Sequence, residues 1–314
     1  MPESKILTTE PTAESEALPT PRALPERAPS PLEEHQIPAR DGYPLTANLF
    51  LPSPESDCGR LVQIHPATAV RRGIYAKFAS YLASRGMTVV TFDYRGTGDS
   101  LHGSLKESQA RMRDWGELDV PGVIDWVGEH FPDLSHLVVA HSVGGQILGL
   151  SPNVDRLEGV YAVASQWGSW RLWPWPRRWF NKVLMEVLAP ASTAVAGYFP
   201  GRLFGMGDLP RGIGLEWARW CASDHYVCDE QGEALRPHYH RLSCPVVWNA
   251  LADDPVFGPR RAVEAMPGLY PNANSETRIL HPRDAGAPIG HFGFFRSRFR
   301  DTLWTQAATW LLAV

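Results

Sequence analysis

The stretch "VVAHSVGGQ" (138–146) sets Ser142 directly after an apolar run, with Ala140 two positions before it and Gly144 two after. A serine hydroxyl is a weak nucleophile by itself. It attacks a carbonyl carbon when a base takes its proton and hydrogen-bond donors receive the charge that develops on the carbonyl oxygen. The spacing suits that task. A strand that turns sharply into a helix needs small neighbours where the turn presses on adjacent elements, and it pushes the hydroxyl into a cleft. The first turn of such a helix leaves N–H groups free, so Val143 N–H is a candidate oxyanion donor. The competing interpretation is a serine that merely caps a helix.

A base and an acid must come from elsewhere in the chain. "ALADDPV" offers Asp253 and Asp254, and "IGHFGFF" offers His291; each follows a segment that reads as a strand. In an open α/β sheet, sites form at the carboxyl ends of strands, where all three candidates fall. His65, ending "LVQIHP", is expected to be structural, its ring bonding loop carbonyls, and His141 to turn to the far side of the elbow and pack. His238 and His240 in "RPHYHRL" would chelate a metal only from a strand. No acid or thiolate stands at a fixed spacing from them, so they read as surface histidines, and neither metal nor cofactor is expected. Cys58, Cys221, Cys228 and Cys244 lack the paired spacing of a zinc or redox site and read as free thiols.

The elements that would carry these residues alternate. "QIPARDGYPLTANLFLP" has a turn at Asp41 and Gly42 between two extended segments, a hairpin signal. "LVQIHP", "MTVVTFDY", "LSHLVVA", "LEGVYAVAS", "CPVVWNALAD" and "ETRILHP" read as strands. "GIYAKFASYLASRG", "WGELDVPGVIDWVGEHF", "SVGGQILGL", a segment around 259–266 and "FRDTLWTQAATWLLAV" read as helices, with Pro121 tolerated only at a kink or near a first turn. Such alternation predicts a mostly parallel open sheet flanked by helices. It stops over 166–241, where five of the twelve tryptophans fall between Trp167 and Trp179. That segment reads as a helical cap inserted between two strands, dividing the core into 35–165 and 242–314.

Residues 1–34 hold seven prolines and seven glutamates and read as a disordered tail. They lack the pattern of a secretory signal, and no run reaches the roughly 20 apolar residues of a membrane span, so a cytoplasmic protein is expected. A net charge of −4 without a Lys/Arg block argues against nucleic acid as a partner.

The stretches "HPATAVRRGIYAKFASYLASRG", "FDYRGTGDS", "AHSVGGQ", "DDPV" and "GHFGFF" together resemble the α/β-hydrolase superfamily, in particular bacterial hydrolases near the serine aminopeptidase and monoacylglycerol lipase branch. The likeness covers roughly residues 36–314, and the order Ser, acid, His is the superfamily's own. It implies Ser142 as nucleophile, His291 as base and then acid, and Asp254, rather than Asp253, as the residue that orients the imidazole, because "DPV" resembles the Asp-x-Val of relatives. Relatives carry His-Gly where this chain has His65-Pro66. Since proline has no N–H, the resemblance gives the second oxyanion donor as Ala67, with the Thr68 hydroxyl in support. The loop "DYRGTGDS" is architectural in relatives, so Asp93 and Arg95 receive no catalytic role.

The reading that follows is a cofactor-independent serine hydrolase cleaving a carboxylic ester of an apolar small molecule through an acyl-enzyme, with Trp167, Trp170 and Trp173 as apolar pocket walls. An amidase or aminopeptidase on the same triad would need an acidic pocket for a free amine, for which Glu186, Glu216 and Asp224 are candidates. A hydrolase fold that binds a ligand without catalysis is the alternative from another class.

Overall fold

Eight strands form one sheet in the computed structural model, which describes residues 33–314. They are β1 (Glu33–Pro38), β2 (Pro44–Phe50), β3 (Arg60–His65), β4 (Thr88–Phe92), β5 (Ser135–His141), β6 (Gly159–Val163), β7 (Pro245–Leu251) and β8 (Asn274–Leu280). Their spatial order is β1-β2-β4-β3-β5-β6-β7-β8. β1 and β2 make the expected hairpin, running from Glu33 opposite Leu49 to Pro38 opposite Pro44. β2 is antiparallel to β4, and every pair from β4 to β8 is parallel. The tail expected over 1–34 lies outside the described residues except for Glu33 and Glu34, which already pair in β1.

Parallel neighbours require crossovers, and helices supply them on both faces. The main helices are α1 (Ala76–Ser84), α2 (Val120–His130), α3 (Val143–Gln146), α4 (Arg177–Val183), α5 (Ala189–Ala196), α6 (Arg211–Ala222), α7 (Arg260–Glu264) and α8 (Thr305–Ala313). Side chains alternate along each strand, so β5 serves two cores. Leu137 and Val139 pack with Phe78 and Leu82 of α1 and Ala308 and Leu311 of α8. Val138 and Ala140 pack on the other face with Val123, Ile124 and Val127 of α2. No helix among the described residues is long and apolar enough to cross a membrane.

Pro121 stands in the first turn of α2, preceded by a π-turn over Trp115–Asp119. That wider turn accommodates a residue without an N–H, which is the tolerance the sequence required. The helix expected after Ser142 is shorter than its sequence suggests. α3 makes one turn, and a separate 3-10 turn follows at Leu148–Leu150. Its glycines explain the interruption, because the backbone lies too close to its neighbours for side chains. A Cβ at Gly144 would meet the His65 carbonyl oxygen at 2.6 Å, and one at Gly149 would meet the Tyr239 ring at 2.2 Å.

Between β6 and β7 the chain departs from the sheet and forms α4, a π-turn over Leu184–Leu188, α5, a 3-10 turn over Gly201–Phe204, and α6. Glu216 of α6, 3% exposed, accepts bonds from the Arg113 backbone N–H at 2.8 Å and from Arg113 Nε at 2.6 Å. This buried pair pins the insert to the segment that leads into α2. His238 precedes a 3-10 turn over Tyr239–Arg241 and His240 lies within it, so neither occupies a strand. Among the described residues, no cluster of three or more metal-ligating side chains occurs.

Candidate active site

Ser142 joins β5 to α3 with φ +52° and ψ −115°, a conformation that L-residues rarely adopt. The serine N–H, bonded to the Val163 carbonyl of neighbouring β6 at 3.0 Å, helps hold the strained turn in place. The side chain faces a small cavity of about 30 Å³ lined by Ala67, Thr68, Ser142, Gln146, Gln166, Met206, Trp217, Phe257, His291 and Phe292. Its hydroxyl donates to Gln166 Oε1 at 3.4 Å and makes no hydrogen bond to the imidazole. Val143, next in sequence, begins α3, where first-turn N–H groups have no helical partner.

His291 enters the cavity from the short helical turn Gly290–Gly293, beyond the carboxyl end of β8. Its Nδ1 lies 2.6 Å from Asp254 Oδ2, with both side chains almost fully buried. An Nδ1–H donated to the carboxylate leaves Nε2 free to accept a proton. The other Asp254 oxygen accepts the Phe257 N–H at 3.0 Å. Gly258 permits the pair to pack, since a Cβ there would come within 2.9 Å of Asp254 Oδ2.

Asp253 is more than a turn carboxylate. It accepts the Ile289 and Gly290 N–H groups at 2.7 and 3.0 Å, fixing the loop that delivers His291. His141 supports the same loop. Its Nε2 lies 3.0 Å from the His291 carbonyl, which can only accept, so that nitrogen carries the hydrogen. Nδ1 must then accept from the Tyr75 hydroxyl at 2.9 Å. Burial holds His141 neutral by pushing its pKa well below the usual histidine value, and the nearby His291 adds to that push. The packed role expected of His141 therefore becomes a tether.

Ala67 departs from its expected role. The Tyr75 oxygen that donates to His141 accepts the Ala67 N–H at 2.9 Å, so this N–H is occupied and does not stand open to an oxyanion. Tyr75 was not singled out in the sequence because its hydroxyl reaches the loop from eight residues away. Thr68 lines the serine cavity beside Ala67. His65 is wholly buried and bonds Gln63 Oε1 at 3.3 Å rather than loop carbonyls, with its ring edge-on to Phe92. Asp93 and Arg95 serve structure. Asp93 pairs with Arg72 at 2.6 Å, and Arg95 with Asp119 at 2.6 Å.

Burial pushes the His65 pKa down to about 3. Below the ordinary histidine value the unfolded chain takes up a proton that the folded chain refuses. Stability from this residue is thus present above pH 6.5 and is lost as pH falls toward 3, by about 2 kcal/mol at pH 5. Urea unfolding at pH 7 and pH 5 should show a loss on acidification that shrinks by that amount in His65→Gln. Equal losses in both proteins would contradict the assignment.

A second cavity of about 340 Å³ adjoins the first and shares Gln166, Met206, Trp217 and Phe257 with it. Trp170 and Trp173 line it together with Phe180, Leu184, Phe199 and Leu203. Trp167 does not. Its indole N–H is donated to the Asp224 carbonyl and Arg236 lies over its ring, which turns it away from the chamber. Gln166, Met206, Trp217 and Phe257, absent from the sequence reading, stand at the boundary of the two spaces and line both. Of the acidic candidates, Glu216 is bound to Arg113, Glu186 pairs with Lys182 and Asp224 with Arg171; none lines either cavity.

The profile of the Alpha/beta hydrolase family matches residues 64–302. A search of curated proteins returns no match. Among solved structures, a soluble variant of monoglyceride lipase from Saccharomyces cerevisiae in complex with a substrate analog aligns with a TM-score of 0.62 at 15% identity, over 94% of this chain and 98% of that one. An esterase from Exiguobacterium antarcticum aligns at 0.57 and 15% identity, over 88% and 98%. A hypothetical protein from Pseudomonas aeruginosa aligns at 0.60 and 15%, over 92% and 95%. At such identities the likeness speaks for the fold. The family match runs from the end of β3 beyond the turn that bears His291 and contains Ser142 and Asp254, and the chain belongs to the alpha/beta hydrolase family.

Proposed function

We propose that the protein is a serine hydrolase that cleaves a carboxylic ester through an acyl-enzyme. One observation carries the reading: His291, held by Asp254 at 2.6 Å, and Ser142, held at a strained turn, line the same cavity. The reaction requires the Ser142 hydroxyl to leave Gln166 and meet His291 Nε2, and a change of χ1 is the movement open to it. The hydroxyl attacks the ester carbonyl as the imidazole takes its proton, and the imidazolium, stabilised by Asp254, returns that proton to the leaving alcohol. Water then repeats the sequence on the acyl-enzyme. The Val143 N–H receives the oxyanion charge. With the Ala67 N–H bonded to Tyr75, the Thr68 hydroxyl in the same cavity supplies a second donor.

The insert caps the site, and the larger chamber takes the apolar part of the substrate. An ester is favoured over a peptide with a free amine because Glu186, Glu216 and Asp224 are each tied to a basic residue away from the cavities. A fluorophosphonate probe should add covalently to Ser142, located by peptide mass spectrometry, and p-nitrophenyl esters should be turned over far faster than aminoacyl anilides. Absence of the adduct on folded protein would instead point to a silent binding protein, and preference for the anilides to an amidase.

A further inference from the structure

A third space borders Phe292, the residue after His291. It is an open groove of about 500 Å³ lined by Ile74, Lys77, Phe292, Phe295, Arg296, Ser297 and Arg298. Three of those seven residues are cations and none is acidic, in a chain whose net charge is −4. They come from two elements. Lys77 stands in the first turn of α1, whereas Arg296 and Arg298 follow the turn that carries His291. Arg298 is anchored, donating to the Pro288 carbonyl at 3.0 Å with its guanidinium over the Phe299 ring. Among the described residues, Lys77 and Arg296 make no ion pair. Gathering like charges opposes folding slightly, and the groove gives no internal compensation; an anion would supply it.

The position of the groove connects it with the reaction. Phe292 walls both the groove and the serine cavity, and its ring lies 4.9 Å from the His291 ring. The serine cavity also shares Gln166, Met206, Trp217 and Phe257 with the apolar chamber. The serine cavity thus borders both an apolar chamber and a cationic groove, which share no lining residue with each other. We propose that the substrate is an amphipathic ester whose apolar acyl group fills the chamber and whose leaving alcohol carries a phosphate that binds Lys77, Arg296 and Arg298. Phosphate is preferred to carboxylate because three cations line the groove and a phosphate monoester brings nearly two negative charges near pH 7.

The inference rests on the ester hydrolase reading and adds the identity of the leaving group. The chemistry balances without a further reactant. Ser142 Oγ displaces the alkoxide, which takes the proton from His291 and departs as a phosphorylated alcohol. One water then releases the acyl group as a carboxylic acid and restores the serine.

The test compares three octanoyl esters that differ only in the leaving alcohol: glycerol, glycerate and glycerol 3-phosphate. The phosphorylated ester is expected to show a KM about tenfold below that of the neutral one, a gap that narrows as salt is raised. In Lys77→Ala/Arg296→Ala, both surface changes, that gap should close while the constants for the neutral ester stay at wild-type values. Equal KM values for the neutral and phosphorylated esters in the wild type would overturn the proposal. Preference for the glycerate ester alone would overturn the phosphate assignment. If no ester were hydrolysed, the ester reading would fail, but the groove would still be decided by calorimetry with ether analogues that cannot react. Tighter binding of the phosphorylated ether, lost in the double variant, would support the groove, and equal binding would refute it.

Discussion

Replacing Ser142 by alanine is expected to lower kcat toward esters by roughly five to six orders of magnitude, to the level left by binding and the remaining oxyanion donor. The loss should be accompanied by disappearance of the fluorophosphonate adduct. A second substitution separates chemistry from folding. At φ +52° the serine occupies a region costing about 1–3 kcal/mol for an L-residue, whereas glycine enters it freely. Ser142→Gly should therefore be inactive and yet more stable than the wild type, by about 1 kcal/mol in a urea melt. A glycine variant that retains turnover would reject the nucleophile, and one that is inactive because it unfolds would reject the strain argument.

The second large effect is expected at Asp254. Removing the carboxylate leaves His291 Nδ1 without its buried acceptor and the developing imidazolium without a counter-charge. Asp254→Ala should lower kcat by about 10⁴ with little change in KM. Asp253 provides the control. Its oxygens accept backbone N–H groups of the loop and do not touch the imidazole, so Asp253→Ala displaces His291 without altering its chemistry. A misplacement of that kind costs about a hundredfold. If the Asp253 variant proved the more damaged of the two, the assignment of the orienting acid would have to be exchanged.

How far these residues were legible in the sequence depended on whether their signal was local. The hairpin at Asp41 and Gly42, the buried strands and the small neighbours of Ser142 are all imposed by a few adjacent side chains, and short-range patterns register them. That Ser142, the Asp253–Asp254 pair and His291 all follow strands is legible from the alternation of elements, whereas the choice of Asp254 and the division of roles come from the family resemblance, because nothing local ties residue 142 to 291. Contacts made across the fold left no pattern at all. Tyr75 occupies the Ala67 N–H because α1 happens to begin beneath that loop, and Gln166, Met206, Trp217 and Phe257 meet only once the insert has folded onto the sheet. The direction of Trp167 is non-local in the same way. Composition marked the segment as aromatic, but the Asp224 carbonyl, 57 residues on, decided where that indole points.

The space beside the Ser142 hydroxyl measures about 30 Å³, room for a single water and for no acyl group. For an acyl group in the larger chamber to reach the hydroxyl, one of the side chains that line both spaces, Met206, Trp217 or Phe257, has to draw back. Apparent affinity is then the intrinsic affinity multiplied by the fraction of molecules open at any instant. Trimming any of these three side chains should speed the association of bulky esters more than that of small ones, which rapid mixing with p-nitrophenyl esters of graded length would read.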